Sequence, residues 1–138
     1  MPASVKAVVR QRAGNRCEYC LRPQEASPLV SLQLEHIIAR KHGGNDGLEN
    51  LALACAECNL HKSSDLAGID PESGQLTPLF HPRQDAWDEH FEWIEEFTRI
   101  QGRTAIGRAT IVRLKMNRPA LVVARQRWVE GGYHPPEG

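Results

Sequence analysis

The sequence predicts an α+β fold, and three observations carry the prediction. Residues 31–38 alternate, with Leu32, Leu34 and His36 on one side and Gln33, Glu35 and Ile37 on the other, the period of a strand. Residues 41–48, KHGGNDGL, hold three glycines, Asn45 and Asp46, the chemistry of a turn. The apolar run Leu51–Ala54 then reads as a second strand and leads into Cys55-x2-Cys58, where a helix over 56–66 begins. The predicted order is strand, loop, strand, helix.

Other elements flank that unit. Residues 4–13 form a short amphipathic helix with Val5, Val8 and Val9 on one face and Ser4 as its N-cap. Gly14-Asn15 ends it. RCEYC at 16–20 forms a tight knuckle, and 21–31, with two prolines, reads as loop. Residues 67–86 read as irregular. The aromatic residues of 87–100 fit a hairpin pairing about 90–95 with 98–102. A helix over 104–114 takes Thr104 as its cap. A last helix takes Asn117 as cap and Pro119 in its first turn, and stops at Gly131-Gly132. Domain boundaries follow: a core over 1–66 and a C-terminal extension over 67–138, whose residues 79–131 are expected to pack on the core because about 50 residues make a marginal independent core.

Composition bounds the function. The 138 residues are 41% hydrophobic and 25% charged, ordinary globular values. Seventeen basic residues balance seventeen acidic ones, so any attraction for nucleic acid must be local rather than a property of the whole chain. No apolar run approaches the length of a membrane span, and the N-terminus lacks the pattern of a secretory signal. The expected setting is the cytoplasm, where four cysteines are metal ligands more readily than disulfides.

Cys17, Cys20, Cys55 and Cys58 form two C-x2-C pairs, a pattern that gives four thiolates to one tetrahedral ion, with zinc the usual occupant. Four thiolates leave no open position, so this zinc is structural. The 34 residues between Cys20 and Cys55 exceed common zinc-ribbon spacing and carry Glu35-His36. Glu35 offers a hard oxygen to a cation such as Mg²⁺, and His36 offers a base for water. Asn59 can ligate the same cation through its amide oxygen, and Asn50 can orient His36 across the hairpin. Each has a plainer reading: a core His, a surface Glu, a capping Asn, a turn Asn. Arg10, Arg12, Arg16, Arg40, Lys41 and Lys62 cluster in sequence around this stretch and could grip phosphates or simply be solvated.

CEYC at 17–20, EHI at 35–37, GG at 43–44, ENL at 49–51 and CAECNLHK at 55–62 together resemble the HNH (His-Asn-His) endonuclease family in its zinc-stapled form. The resemblance spans about residues 10–65. LFHPR at 79–83, WDEHFEW at 87–93, GRATI at 107–111 and RQRW at 125–128 resemble the C-terminal extension of small bacterial HNH proteins. The resemblance implies a ββα-metal (His-Me finger) core with a four-cysteine zinc staple. It implies an endonuclease that hydrolyses DNA phosphodiesters with one divalent metal, Mg²⁺ or Mn²⁺, leaving 5′-phosphate and 3′-hydroxyl ends. By it, His36 is the general base, Glu35 and Asn59 hold the metal, Asn50 positions His36, and Lys62, Arg40 and Lys41 contact substrate. Many members carry Asp where this chain has Glu35, and the extra methylene moves the carboxylate by about 1 Å. Two other functions are consistent with the residues: a zinc-stabilised nucleic-acid-binding module that has lost catalysis, and a structural zinc domain for protein contacts.

Overall fold

A computed structural model describes residues 1–136. Its elements fall into two compact units. The first joins Met1–Ser64 to His81–Gln84; the second joins Asp65–Phe80 to the chain from Asp85 onward. The fold is α+β in both.

The first unit opens with helix α1 (Ala3–Arg12). Its cap is Pro2, whose carbonyl accepts from Val5 and Lys6, so Ser4 lies inside the first turn and not at the cap where it was expected. Of the three valines, only Val9 is fully buried, while Val8 is exposed. Gly14 and Asn15, both at positive φ, then turn the chain into the first cysteine knuckle. Strand β1 (Gln33–His36) pairs antiparallel with β2 (Leu51–Ala54), with Glu35 opposite Ala52 and His36 opposite Leu51.

All four side chains of β2 are buried, with α1 packed against the strand. A strand buried this way must also satisfy its free edge. The knuckle does so: Glu18 N–H donates to the Leu53 carbonyl at 2.8 Å, and the Glu18 carboxylate accepts from Leu53 N–H at 2.8 Å. The Arg12 guanidinium donates to the Leu51 carbonyl, and Arg10 to the Leu32 carbonyl at 3.2 Å. These two arginines brace the hairpin, a role that neither a phosphate contact nor a solvated surface describes.

Helix α2 (Ala56–Lys62) follows β2 directly. It ends four residues short of the expected 66, because Ser63 takes φ 52 and leaves the helix. The polar run Ser63-Ser64-Asp65 has little helix propensity to oppose that exit.

In the second unit the stretch expected to be irregular contains a hairpin, β3 (Ala67–Ile69) with β4 (Leu76–Pro78). Its strands are three residues long, too short for a periodic signal. The turn is organised by buried Asp70, which accepts from Glu72 N–H at 3.1 Å and Ser73 Oγ at 2.8 Å. The aromatic hairpin appears as expected, β5 (Phe91–Ile94) with β6 (Arg99–Gly102), preceded by the single turn α3 (Trp87–His90). Thr104 caps α4 (Ala105–Leu114) through Gly107 N–H. Helix α5 (Pro119–Glu130) has Pro119 in its first turn and stops at Gly131. Its cap is Arg118, not Asn117. The Asn117 amide instead clamps β6, accepting from Ile100 N–H at 2.8 Å and donating to the Ile100 carbonyl at 2.7 Å. Phe91, Ile100, Leu114, Met116, Leu121 and Trp128 form this unit's core. Among the described residues, no helix is long and apolar enough to cross a membrane.

Candidate metal centre and active site

The four cysteines meet. Cys17 and Cys20 come from the knuckle, Cys55 and Cys58 from the start of α2, all buried, with their sulfurs within 4.8 Å of one another. Cys55 also caps α2, its sulfur accepting from Cys58 N–H. A tetrahedral zinc site with bonds of about 2.3 Å needs sulfurs about 3.8 Å apart, and the Cys20 and Cys55 sulfurs are 3.8 Å apart. Hydrogen bonds from the neighbouring thiols, Cys17 first, hold the Cys55 thiol below its usual range, while burial pushes the Cys17 thiol up and the hydrogen bond with Cys17 pushes the Cys58 thiol up. The set could hold a metal ion such as zinc.

On β1 the alternation of a strand separates Glu35 from His36. Glu35 turns inward and is 4% exposed. Lys62 Nζ lies 2.9 Å from its Oε1 and donates to the Ile37 carbonyl at 2.9 Å. Burial pushes the Glu35 carboxyl up, against the pull of Lys62 and the Tyr19 hydroxyl. Lys62 is 2% exposed and cannot present its ammonium to a phosphate, which corrects that reading. The cause is helical spacing: Cys58 and Lys62, four residues apart, share the buried face of α2, whereas Asn59 lies on another.

His36 lies at the end of β1. Its Nε2 is 2.7 Å from Asp46 Oδ1, and the same oxygen accepts from Arg40 Nη2 at 2.8 Å and Nε at 3.2 Å. Asp46 stays ionised below the usual carboxylate range, first through the His36 hydrogen bond and then through Arg40. Asn50 does not bond His36. It is buried and pins the loop, accepting from Ile38 N–H at 2.9 Å and donating to the carbonyls of Ile38 at 2.9 Å and Asn45 at 2.8 Å. The glycine pair makes this possible. Gly43 takes φ 88, and a Cβ on Gly44 would sit 1.7 Å from the Ile38 carbonyl oxygen and 2.8 Å from Asn50 Nδ2.

Asn59 reaches β1, its Nδ2 donating to Gln33 Oε1 at 3.1 Å. Glu35, His36 and Asn59 line one cavity of about 410 Å³, with Arg40, Ser63 and Ser64 on its wall. Lys41 is exposed and outside that lining.

Residues 17–65 match the model of the HNH endonuclease family. Over these residues the chain is similar to that family. The match starts at the first zinc-type cysteine and ends just past α2, so it contains both cysteine pairs, the hairpin and the whole cavity lining. No curated protein and no solved structure matches the chain. Within the matched residues the side chain that sequence reasoning missed is Asp46. It stands in a Gly- and Asn-rich loop, where an Asp is fully accounted for as turn chemistry. Its ten-residue separation from His36 matches no local pattern.

Proposed function

We propose that this chain is a metal-dependent endonuclease that hydrolyses DNA phosphodiesters, with β1, β2 and α2 as a ββα-metal core. The observation that carries the reading is the convergence of Glu35, His36 and Asn59 on one cavity inside the matched residues. The donor set fits a single Mg²⁺ or Mn²⁺ ion, since Glu35 and Asn59 supply hard oxygens. Both Glu35 oxygens are buried without a hydrogen bond, and the Lys62 ammonium 2.9 Å from Oε1 is the countercharge that a metal would have to displace. When bound, the cation would neutralise charge developing on the phosphate.

The chain's own residues supply the rest. His36 takes a proton from the attacking water through its imidazole lone pair. Asn50 keeps the loop after β1 in register with His36 by holding Ile38 and Asn45. Arg40, on the cavity wall, and exposed Lys41 grip flanking phosphates. The four cysteines hold a structural zinc that fixes the start of α2, and therefore Asn59, against the knuckle.

Incubating the zinc-loaded protein with plasmid and Mg²⁺ or Mn²⁺, beside His36→Ala, tests the reading. Metal-dependent cleavage that His36→Ala lacks is expected. Equal cleavage by both proteins sinks it. One observation favours a second reading, a nucleic-acid-binding module without catalysis: Lys62 already neutralises Glu35. Plasmid binding without cleavage at any metal concentration would select that reading.

A further inference from the structure

We propose that Asp46 is the positioning residue for His36, fixing the ring proton on Nε2 so that Nδ1 is the nitrogen that acts as base. The proposal rests on the reading of His36 as the base. A neutral imidazole has one donor and one acceptor nitrogen, and an ionised carboxylate only accepts. With Asp46 Oδ1 at 2.7 Å, Nε2 must carry the proton. Nδ1 keeps the lone pair and has no protein partner among the described residues. Asp46 remains a carboxylate because Arg40 donates to the same oxygen twice.

The alternative is that Asp46 merely stabilises the surface. Exposed ion pairs contribute about 0–1 kcal/mol, and Asp46 and Arg40 are 56% and 68% exposed. The surrounding loop is built far more firmly than such a pair needs. Asn50 pins the Asn45 carbonyl on one side of Asp46, and the Asn45 side chain accepts from Gly47 N–H at 2.9 Å on the other. Both neighbours of Asp46 are fixed, so its carboxylate is aimed. What it is aimed at is the ring on the wall of the cavity that also holds Glu35 and Asn59.

The test uses the full, zinc-loaded chain with ¹⁵N-labelled histidine. In the wild type, the His36 ring nitrogens should show one tautomer and a hydrogen-bonded proton on Nε2. Asp46→Ala should lose that proton signal to solvent exchange and show averaged ring shifts, with zinc content and melting temperature unchanged. In plasmid cleavage with Mn²⁺, Asp46→Ala should lower kcat about tenfold or more while KM holds. That loss should stay below the about 10²–10⁴-fold loss expected for His36→Ala. Asp46→Glu, which keeps a carboxylate, should restore part of kcat and the ring signature. Ring spectra of Asp46→Ala identical to wild type would overturn the proposal, as would an altered ring with unchanged kcat. A wild type that fixes the tautomer yet cleaves no DNA overturns the reading of His36 as base, and with it the catalytic role of Asp46. A wild type that cleaves DNA with an unfixed tautomer overturns the proposal alone.

Discussion

The Lys62 ammonium lies 2.9 Å from Glu35 Oε1, with 3% and 4% of the two side chains exposed. Removing one partner of such a pair leaves an uncompensated charge in the interior, at a cost of about 3–5 kcal/mol. Lys62→Met should therefore destabilise the chain by about that amount in denaturant titrations. Lys62→Met combined with Glu35→Gln should recover much of the loss, because no charge is then stranded. A phosphate contact would behave differently, with stability unchanged and the salt slope of DNA binding reduced by about one. That second pattern would show that Lys62 faces solvent.

His36 and Glu35 are adjacent in sequence yet face opposite sides of β1, so their variants should separate cleanly. His36→Ala touches no buried charge and should keep wild-type stability and metal affinity while cleavage falls by about 10²–10⁴-fold. Glu35→Gln keeps the size of the side chain and removes the proposed cation ligand, so cleavage should need more Mg²⁺ or Mn²⁺ and recover in part at high metal. Cleavage titrated against metal for both variants decides the assignment. A shifted metal requirement in His36→Ala and none in Glu35→Gln would reverse the roles.

The legible part of this chain was the part with a period or a ligand spacing. Two C-x2-C pairs announced a cluster that the fold assembles from the knuckle and α2. Strand β2 and the aromatic hairpin β5–β6 were readable because each run of side chains belongs to one element. The partnerships of Lys62 and Asp46 were not readable. Lys62 has the same sequence signature whether its ammonium points to solvent or to a carboxylate 27 positions earlier. Asn117 shows the same ambiguity. An Asn two residues before Pro119 is a sound helix cap, and here tertiary structure spends it on the Ile100 backbone. The hairpin β3–β4 was missed because its turn is held by Asp70 and its strands are too short to alternate.

Asp70 also gives the second unit a defined response to acid. It is fully buried, and Arg108 donates to it through Nε at 2.9 Å and Nη2 at 3.0 Å. The Arg108 hydrogen bonds hold the Asp70 carboxyl well below the usual range. A folded-state pKa that is depressed contributes stability above the unfolded value of about 3.9 and loses it as pH falls through the folded value. Asp70→Asn should therefore melt at a lower temperature than wild type near about pH 7, and the gap should close as pH drops below about 3.9. A gap that stays constant down to about pH 2 would show that the ionised carboxylate is not what Arg108 stabilises.

Arg83 falls in the stretch that the sequence places in the extension, and the structure groups it with the first unit. Its guanidinium pairs with Glu18 Oε1, and the two side chains are 17% and 10% exposed. Glu18 stands inside the first cysteine pair, and its other oxygen accepts from Leu53 N–H on β2. Arg83 thus neutralises the carboxylate that ties the cysteine knuckle to the hairpin. Burial holds the Arg83 guanidinium down to about 10, still cationic near neutral pH, so the charge pairing persists under ordinary conditions. Arg83→Met should strand Glu18 and loosen the knuckle, costing about 1–3 kcal/mol, the penalty for a buried acceptor that loses its donor. Zinc should then leave faster when a chelator is added, because metal retention is coupled to the fold that presents the thiolates. Arg83→Met combined with Glu18→Gln should slow that loss again, since Gln can still accept from Leu53 N–H without carrying a charge. Zinc release followed with a colorimetric chelator reads both effects. Identical release from wild type and Arg83→Met would mean that residues 81–84 do not support the knuckle, and that the first 64 residues hold their metal unaided.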